Sequence, residues 1–226
     1  VGHAEGDSIG EFNEDGLAVI GQGQMLYGRR AGVINTKGEY VFKPQFDRFL
    51  GYKNGFAQVS IDNKWGYIDS RGNIVVAPRF PFYGTDFNEV GIAQVVLEIR
   101  SKPDNRITGI ELVYGYINTT GQLILREGQY DGIGPFDAEG FAVVRKGDKR
   151  GFVNKDGKEA VGWFDDAGSF SRAGLAAVKQ GRDWGYVDKS GNMVIRPRFD
   201  RAFTFSTEGI ALIELNKKFG HINIRG

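Results

Sequence analysis

The sequence predicts an all-β protein, a six-repeat β-propeller closed by its N- and C-terminal strands, with an open β-hairpin solenoid as the alternative. Three observations lead there. Gly-apolar-Ala recurs six times, beginning at Gly16, Gly55, Gly91, Gly140, Gly174 and Gly209. A second glycine motif follows each copy, and no stretch of the chain has the 3.6-residue periodicity of a helix. The chain also stops at the sixth turn glycine, Gly226, and carries residues 1–15 ahead of the first motif. Joined on paper, those residues supply nearly what the sixth repeat lacks, so residues 1–226 read as one domain whose last repeat is completed by residues 1–15.

Each repeat has the same parts. In the fifth, Leu175-Ala-Ala-Val-Lys is a short apolar strand, Gly181-Arg-Asp a turn and Trp184-Gly-Tyr-Val-Asp a second strand. Lys189-Ser-Gly-Asn is a hairpin turn in which glycine takes positive φ, and Met193-Val-Ile-Arg is a third strand. Across that turn Tyr186 is expected opposite Ile195. Pro197, like Pro44 and Pro78, is expected to end ordinary pairing, because proline has no N–H to give a ladder. Arg198 to Phe205 is left as a loop or a fourth, outer strand. A phenylalanine stands four residues before Gly-apolar-Ala in five repeats, at Phe12, Phe87, Phe136, Phe170 and Phe205, which suits a ring packed between neighbouring repeats. The small residues of Gly-apolar-Ala suit an innermost strand, where blades converge.

Two repeats are longer than the rest. The first motif is followed by the second-motif glycine after 11 residues in four repeats, after 16 in the first and 24 in the third. Extra chain is cheapest in a connecting loop. Ile107 to Tyr114 alternates enough to extend a strand, and Lys102-Pro-Asp-Asn-Arg106 has turn chemistry, so the third insertion reads as a protruding hairpin.

Lys64-Trp65-Gly66-Tyr67-Ile68-Asp69 and Trp184-Gly185-Tyr186-Val187-Asp188-Lys189-Ser190-Gly191 resemble the bacterial WG (KWG) repeat, as do the flanking Val194 to Asp200 and Phe170 to Ala176. The resemblance covers nearly the whole chain, with Ala31, Tyr114, Arg150 and Phe219 replacing the tryptophan elsewhere. It implies an all-β repeat protein without an established common chemistry, and it brings no catalytic residue to carry over.

Composition narrows the function. With 29 basic and 28 acidic residues among 226, there is no charge excess to suit nucleic acid, and no apolar run is long enough to span a bilayer. Zero cysteines exclude a disulfide framework, a thiolate metal site and a cysteine nucleophile. Cysteine's absence is compatible with a bacterial envelope or secreted location. The two histidines, His3 and His221, have no partnering motif, though a closed ring would make them neighbours. Turn carboxylates such as Asp69, Asp156, Asp165 and Asp166 read as caps, and no Gly-x-Ser-x-Gly elbow or phosphate loop occurs. The expectation is a monomeric, non-enzymatic scaffold without cofactor or metal that presents loops to a protein partner, a carbohydrate-binding propeller being the alternative. The candidate partner-binding residues are Arg100, Lys102, Asp104 and Arg106 in the long insertion, a run that more often reads as a solvated loop than as a basic patch, together with the aromatic Trp163 and Tyr83, beside Phe82.

Overall fold

A computed structural model describes residues 8–12, 15–22, 30–102 and 110–226, and the chain divides into two compact units, Val1–Leu123 and Ile124–Gly226. The chain is all-β. Its described strands form six small antiparallel sheets, the number that six repeats of a propeller require. The first sheet runs β1 (Ser8–Ile9), β2 (Leu17–Gln22), β3 (Arg30–Asn35), β4 (Tyr40–Phe46), and the second β5 (Arg48–Lys53), β6 (Phe56–Ile61), β7 (Lys64–Asp69), β8 (Ile74–Phe80). The third has three strands, β9 (Ile92–Ser101), β10 (Ile110–Asn118) and β11 (Leu123–Arg126), with β10 in the middle. The fourth runs β12 (Gly132–Phe136), β13 (Phe141–Lys146), β14 (Lys149–Asn154), β15 (Glu159–Phe164). The fifth runs β16 (Asp166–Ala167), β17 (Leu175–Gln180), β18 (Asp183–Asp188), β19 (Met193–Phe199), and the sixth β20 (Arg201–Ala202), β21 (Ile210–Leu215), β22 (Lys218–Asn223).

Local chemistry explains the hairpins. The last residue of the second motif is always Asp or Asn. In the fifth repeat Asp188 Oδ1 accepts the N–H groups of Ser190 (2.9 Å) and Asn192 (2.8 Å), while Gly191 N–H closes the turn onto the Asp188 carbonyl at 3.0 Å. Asp69 does the same for Arg71 and Asn73. A second carboxylate clamps the other hairpin. Asp47, Asp131 and Asp165, each immediately before the first strand of a sheet, accept the backbone N–H of Asp62, Gly147 and Gly181 at 2.7, 2.6 and 2.6 Å.

Within each unit the core lies between successive sheets. Trp65, Tyr67, Val76 and Phe80 of the second sheet pack on Phe87, Ala93, Val95 and Ile117 of the third repeat. Phe152, Val161 and Phe164 pack on Phe170, Ala176 and Val187 in the same way. The fixed phenylalanine is the inter-repeat ring expected: Phe87 lies 4.7 Å from Tyr67 and Phe205 4.7 Å from Tyr186. Phe12 is the exception, at 47% exposed.

Four sequence expectations change. The fourth segment of a repeat opens the next sheet and does not finish its own, as Asp166↔Lys179 and Arg201↔Glu214 show. In five of the six sheets the described Gly-apolar-Ala strand has a neighbour on each side and is not an innermost edge, β9 of the third sheet being an edge, and its glycine serves the preceding turn: Gly55 has φ 79° with nothing within 4 Å of where a Cβ would stand. The prolines do not end pairing. Strands β4, β8 and β19 run through Pro44, Pro78 and Pro197, bulging so that Phe46, Phe80 and Phe199 rejoin the ladder opposite Ala31, Trp65 and Trp184. Of residues 1–15, Ser8 and Ile9 pair with Gly21 and Ile20 and so belong to the first sheet, not the sixth; residues 1–7, with His3, lie outside the described residues. Tyr186 does pair with Ile195, and His221 faces Leu212.

Candidate functional site

In the first unit the strand position of the repeat tryptophan borders a small groove. Trp65 is buried, and Tyr83 lies edge-on to it at 5.8 Å while remaining 61% exposed. Tyr83, Gly84 and Thr85 face Gln94, Val95 and Val96 of β9 and Tyr114 of β10 around a cavity of about 170 Å³. Tyr114 holds the tryptophan position of its own repeat, opposite Val96. The loop carrying Tyr83 is anchored by polar groups. Gly84 N–H donates to Gln58 Oε1 (2.9 Å), Gln58 Nε2 donates to Asp86 Oδ1 (3.1 Å), and Tyr67 Oη donates to the Thr85 carbonyl (2.8 Å). Burial, then the charge of Asp86, pushes the Tyr67 phenol well above its ordinary range.

The long insertion is a hairpin, as its alternation implies. Strands β9 and β10 pair from Asn118↔Ile92 to Ile110↔Ser101, with a bulge at Val113/Tyr114. Beyond the bulge the two faces differ, since residues opposite one another share a face. Glu98, Arg100, Lys102 and Glu111 fall on one; Ile99, Leu112 and Ile110 on the other. Arg100 is paired with Glu98, and Lys102 Nζ lies 3.2 Å from Glu111 Oε1, so the described part of this face is charge-balanced. Ile99 and Ile110 are 46% and 37% exposed. Asp104 and Arg106 lie outside the described residues.

Trp163, in the second unit, is no free platform. Its ring lies across Gly151, where a Cβ would meet ring carbons at 2.9 Å; its Nε1 donates to Glu159 (3.3 Å) and Tyr130 is 6.3 Å away. It takes the place that the proline bulge fills in other repeats. On the neighbouring strands is a larger cavity, about 420 Å³, lined by Gly132 to Pro135, Val143 to Arg145, Arg150 and Ala167 to Ser169. Arg150 stands where other repeats have tryptophan, and its ladder partner is Arg145. Sequence reasoning missed both. The available signal was the tryptophan replaced by a charge. Asp165 and Asp166 do not form a cation site together: Lys149 Nζ holds Asp165 at 2.6 Å and Arg150 holds Asp166 at 2.6 Å. The hydrogen bond from Lys149 keeps the Asp165 carboxyl below its ordinary range. Among the described residues no three His, Asp or Glu side chains gather as a metal site.

No curated protein matches the chain. Two solved structures are loosely similar. One is described as KlHsv2 with loop 6CD replaced by a Gly-Ser linker (11% identity, 96% of this chain and 78% of that one, TM-score 0.41). The other is described as the eukaryotic initiation factor (12% identity, 85% of this chain, TM-score 0.41), of which the chain spans 56%. The family model for the WG containing repeat matches residues 32–65, 65–98, 114–149, 151–182 and 184–219. Five matched stretches, each built on the strand that carries the second glycine motif, place the chain in the WG containing repeat family.

Proposed function

We propose that the chain is a non-enzymatic binding scaffold whose third-repeat hairpin docks a protein partner. The observation that carries this reading is the two-faced extension of β9 and β10. Its outer part has an apolar face, Ile99 and Ile110, and a charge-balanced face, Glu98, Arg100, Lys102 and Glu111. An exposed apolar face suits a protein interface, in which apolar burial supplies affinity, and the charged opposite face keeps the hairpin solvated. Neither isoleucine belongs to the core, so their exposure is not needed to hold the sheets.

A second reading, saccharide binding, draws on the groove between Tyr83 and Tyr114, since exposed aromatic faces stack on sugar rings. One comparison separates the two. Wild type and an Ile99→Glu/Ile110→Glu variant are immobilised for pull-down from an extract of the source organism, and both are applied to a glycan array. A partner protein retained by wild type and lost with the variant supports docking through the hairpin. Strong saccharide binding with no retained protein, abolished by Tyr83→Ala, overturns it in favour of the second reading.

A further inference from the structure

The fourth sheet breaks a rule of strand pairing. Arg145 on β13 and Arg150 on β14 are direct ladder partners. Like charges placed so destabilise a sheet unless something between them compensates. The other repeats avoid the conflict, with Ser60 opposite Trp65 and Lys179 opposite Trp184. Here the compensation is incomplete. Arg150 has Asp166 at 2.6 Å. Among the described residues, Arg145 donates only to carbonyls, those of Asp131 (2.9 Å) and Gly147 (3.4 Å), which carry no net charge.

Both arginines line the cavity of about 420 Å³, a size that suits a small organic molecule. Apart from Ser169, the rest of its wall is aliphatic or bare backbone, including Pro135, Val143 and the glycines 132, 134 and 168. A guanidinium retains several donors after one ion pair, and its planar fork matches an oxyanion. We propose that this cavity is a binding site for a small organic anion, whose carboxylate or phosphate is held by Arg145 and Arg150 and whose body lies on Pro135, Val143 and the backbone of Gly132 and Gly134. The site is independent of the hairpin in the first unit.

The test is a titration of the full chain, followed by backbone amide and arginine Nε–H resonances. Inorganic phosphate and succinate are separate probes, with sodium chloride at matched ionic strength as the control. Saturable shifts are expected at Gly134, Gly168, Ser169 and the Nε–H groups of Arg145 and Arg150. Saturation by phosphate alone assigns a phosphate ligand, and by succinate alone a carboxylate ligand. Arg150→Trp restores the residue that two other repeats carry at this position, so it should fold and weaken binding at least about tenfold. Arg145→Gln should do the same, and it reports on the site even if the tryptophan variant folds poorly. Absence of saturable shifts at these residues, shifts matched by chloride, or unchanged affinity in the variants would overturn the proposal.

Discussion

Gly66 lies directly under Pro78: a Cβ on Gly66 would stand 2.7 Å from the Pro78 nitrogen and 2.3 Å from the Val76 carbonyl oxygen. Gly32 meets Pro44 and Gly185 meets Pro197 in the same way, each at 2.7 Å. The glycine of the repeat motif and the proline about twelve residues later are thus two halves of one device. The third strand bulges over the second, and only a residue without a side chain leaves room. The crowding comes from the repeat's own edge strand, not from the neighbouring repeat.

Gly66→Val, and even Gly66→Ala, should therefore destabilise by about 1–3 kcal/mol or more, because backbone atoms are what a Cβ strikes. Gly220→Ala is the internal control. Its nearest neighbour is Ile213 Cδ1 at 3.7 Å, an ordinary contact, and its cost should stay within about 0.5 kcal/mol. Gly151→Ala should fall between, since the obstacle is the Trp163 ring, which can tilt. Urea unfolding of the three variants tests the order; equal midpoints for Gly66→Ala and Gly220→Ala would contradict the bulge argument.

Strand order within a repeat and both hairpin turns were legible because they are local. Asp188, Gly191 and the six-residue glycine spacing dictate the turn wherever the segment goes. Membership of the fourth segment was not legible. Arg201–Ala202 is two residues long, too short for any alternation, and its partner Glu214 is reached only through the next repeat. The proline bulge was half legible: Pro78 marked an interruption, but that Phe80 rejoins opposite Trp65 depends on a distant pairing. The candidate site divided similarly. Arg100 and Lys102 were visible as charges, and Glu98 beside Arg100 is local, yet the neutralisation of Lys102 by Glu111 follows from register, which places Glu111 across from Arg100. Arg150 was visible as a departure from the motif, while Arg145 became its partner only once β13 and β14 were paired.

The motif tyrosine has a buried task. Tyr67 and Tyr186 each donate a 2.8 Å hydrogen bond from Oη to a carbonyl of the next repeat, Thr85 and Phe203. Tyr67→Phe leaves the carbonyl without that donor and should cost about 1–3 kcal/mol. Burial raises the Tyr186 phenol to about 12. A folded value above the unfolded one of about 10 means that stability is full below pH 10 and declines as pH rises toward 12. Tyr186→Phe should flatten that alkaline decline in thermal melts from pH 8 to 12, and an unaltered slope would argue against it.

Two aspartates should respond to acid with opposite sign. Hydrogen bonds from the Asn192 side chain and backbone hold the Asp188 carboxyl below its ordinary range, so its contribution is present above about pH 4 and lost as pH falls below that. Burial raises Asp137, although it accepts N–H groups from Glu139, Phe141 and Phe170. Its ionisation opposes folding, and wild type loses stability as pH rises from about 4 through the raised folded value. Asparagine stands at the equivalent positions in other repeats, Asn154 for Asp188 and Asn88 for Asp137. Wild type should thus lose ground to Asp188→Asn as pH falls, and to Asp137→Asn as pH rises. Urea midpoints between pH 3 and 7 measure both trends; parallel curves would contradict the assignments.

Deleting Ser101 to Thr108 tests whether the hairpin is an appendage. Core packing in the first unit runs through Ala93, Val95 and Ile117, all on the near side of the bulge at Val113/Tyr114, while Ile99 and Ile110 beyond it are exposed. Removing Ser101 to Thr108 therefore takes away, among the described residues, one exposed ion pair, Lys102–Glu111, worth little, and leaves Arg100 with Glu98. It also shortens a loop, and loop length enters stability only logarithmically. The melting temperature should change by no more than about 2–4 °C, the equivalent of about 1 kcal/mol in a chain of this size. Ile99 and Ile110 remain in the shortened hairpin, so capture of a partner that binds their face should persist and be lost only with Ile99→Glu/Ile110→Glu. A large fall in melting temperature would make the hairpin part of the fold, and an intact fold that no longer captures the partner would move the docking surface to the deleted tip.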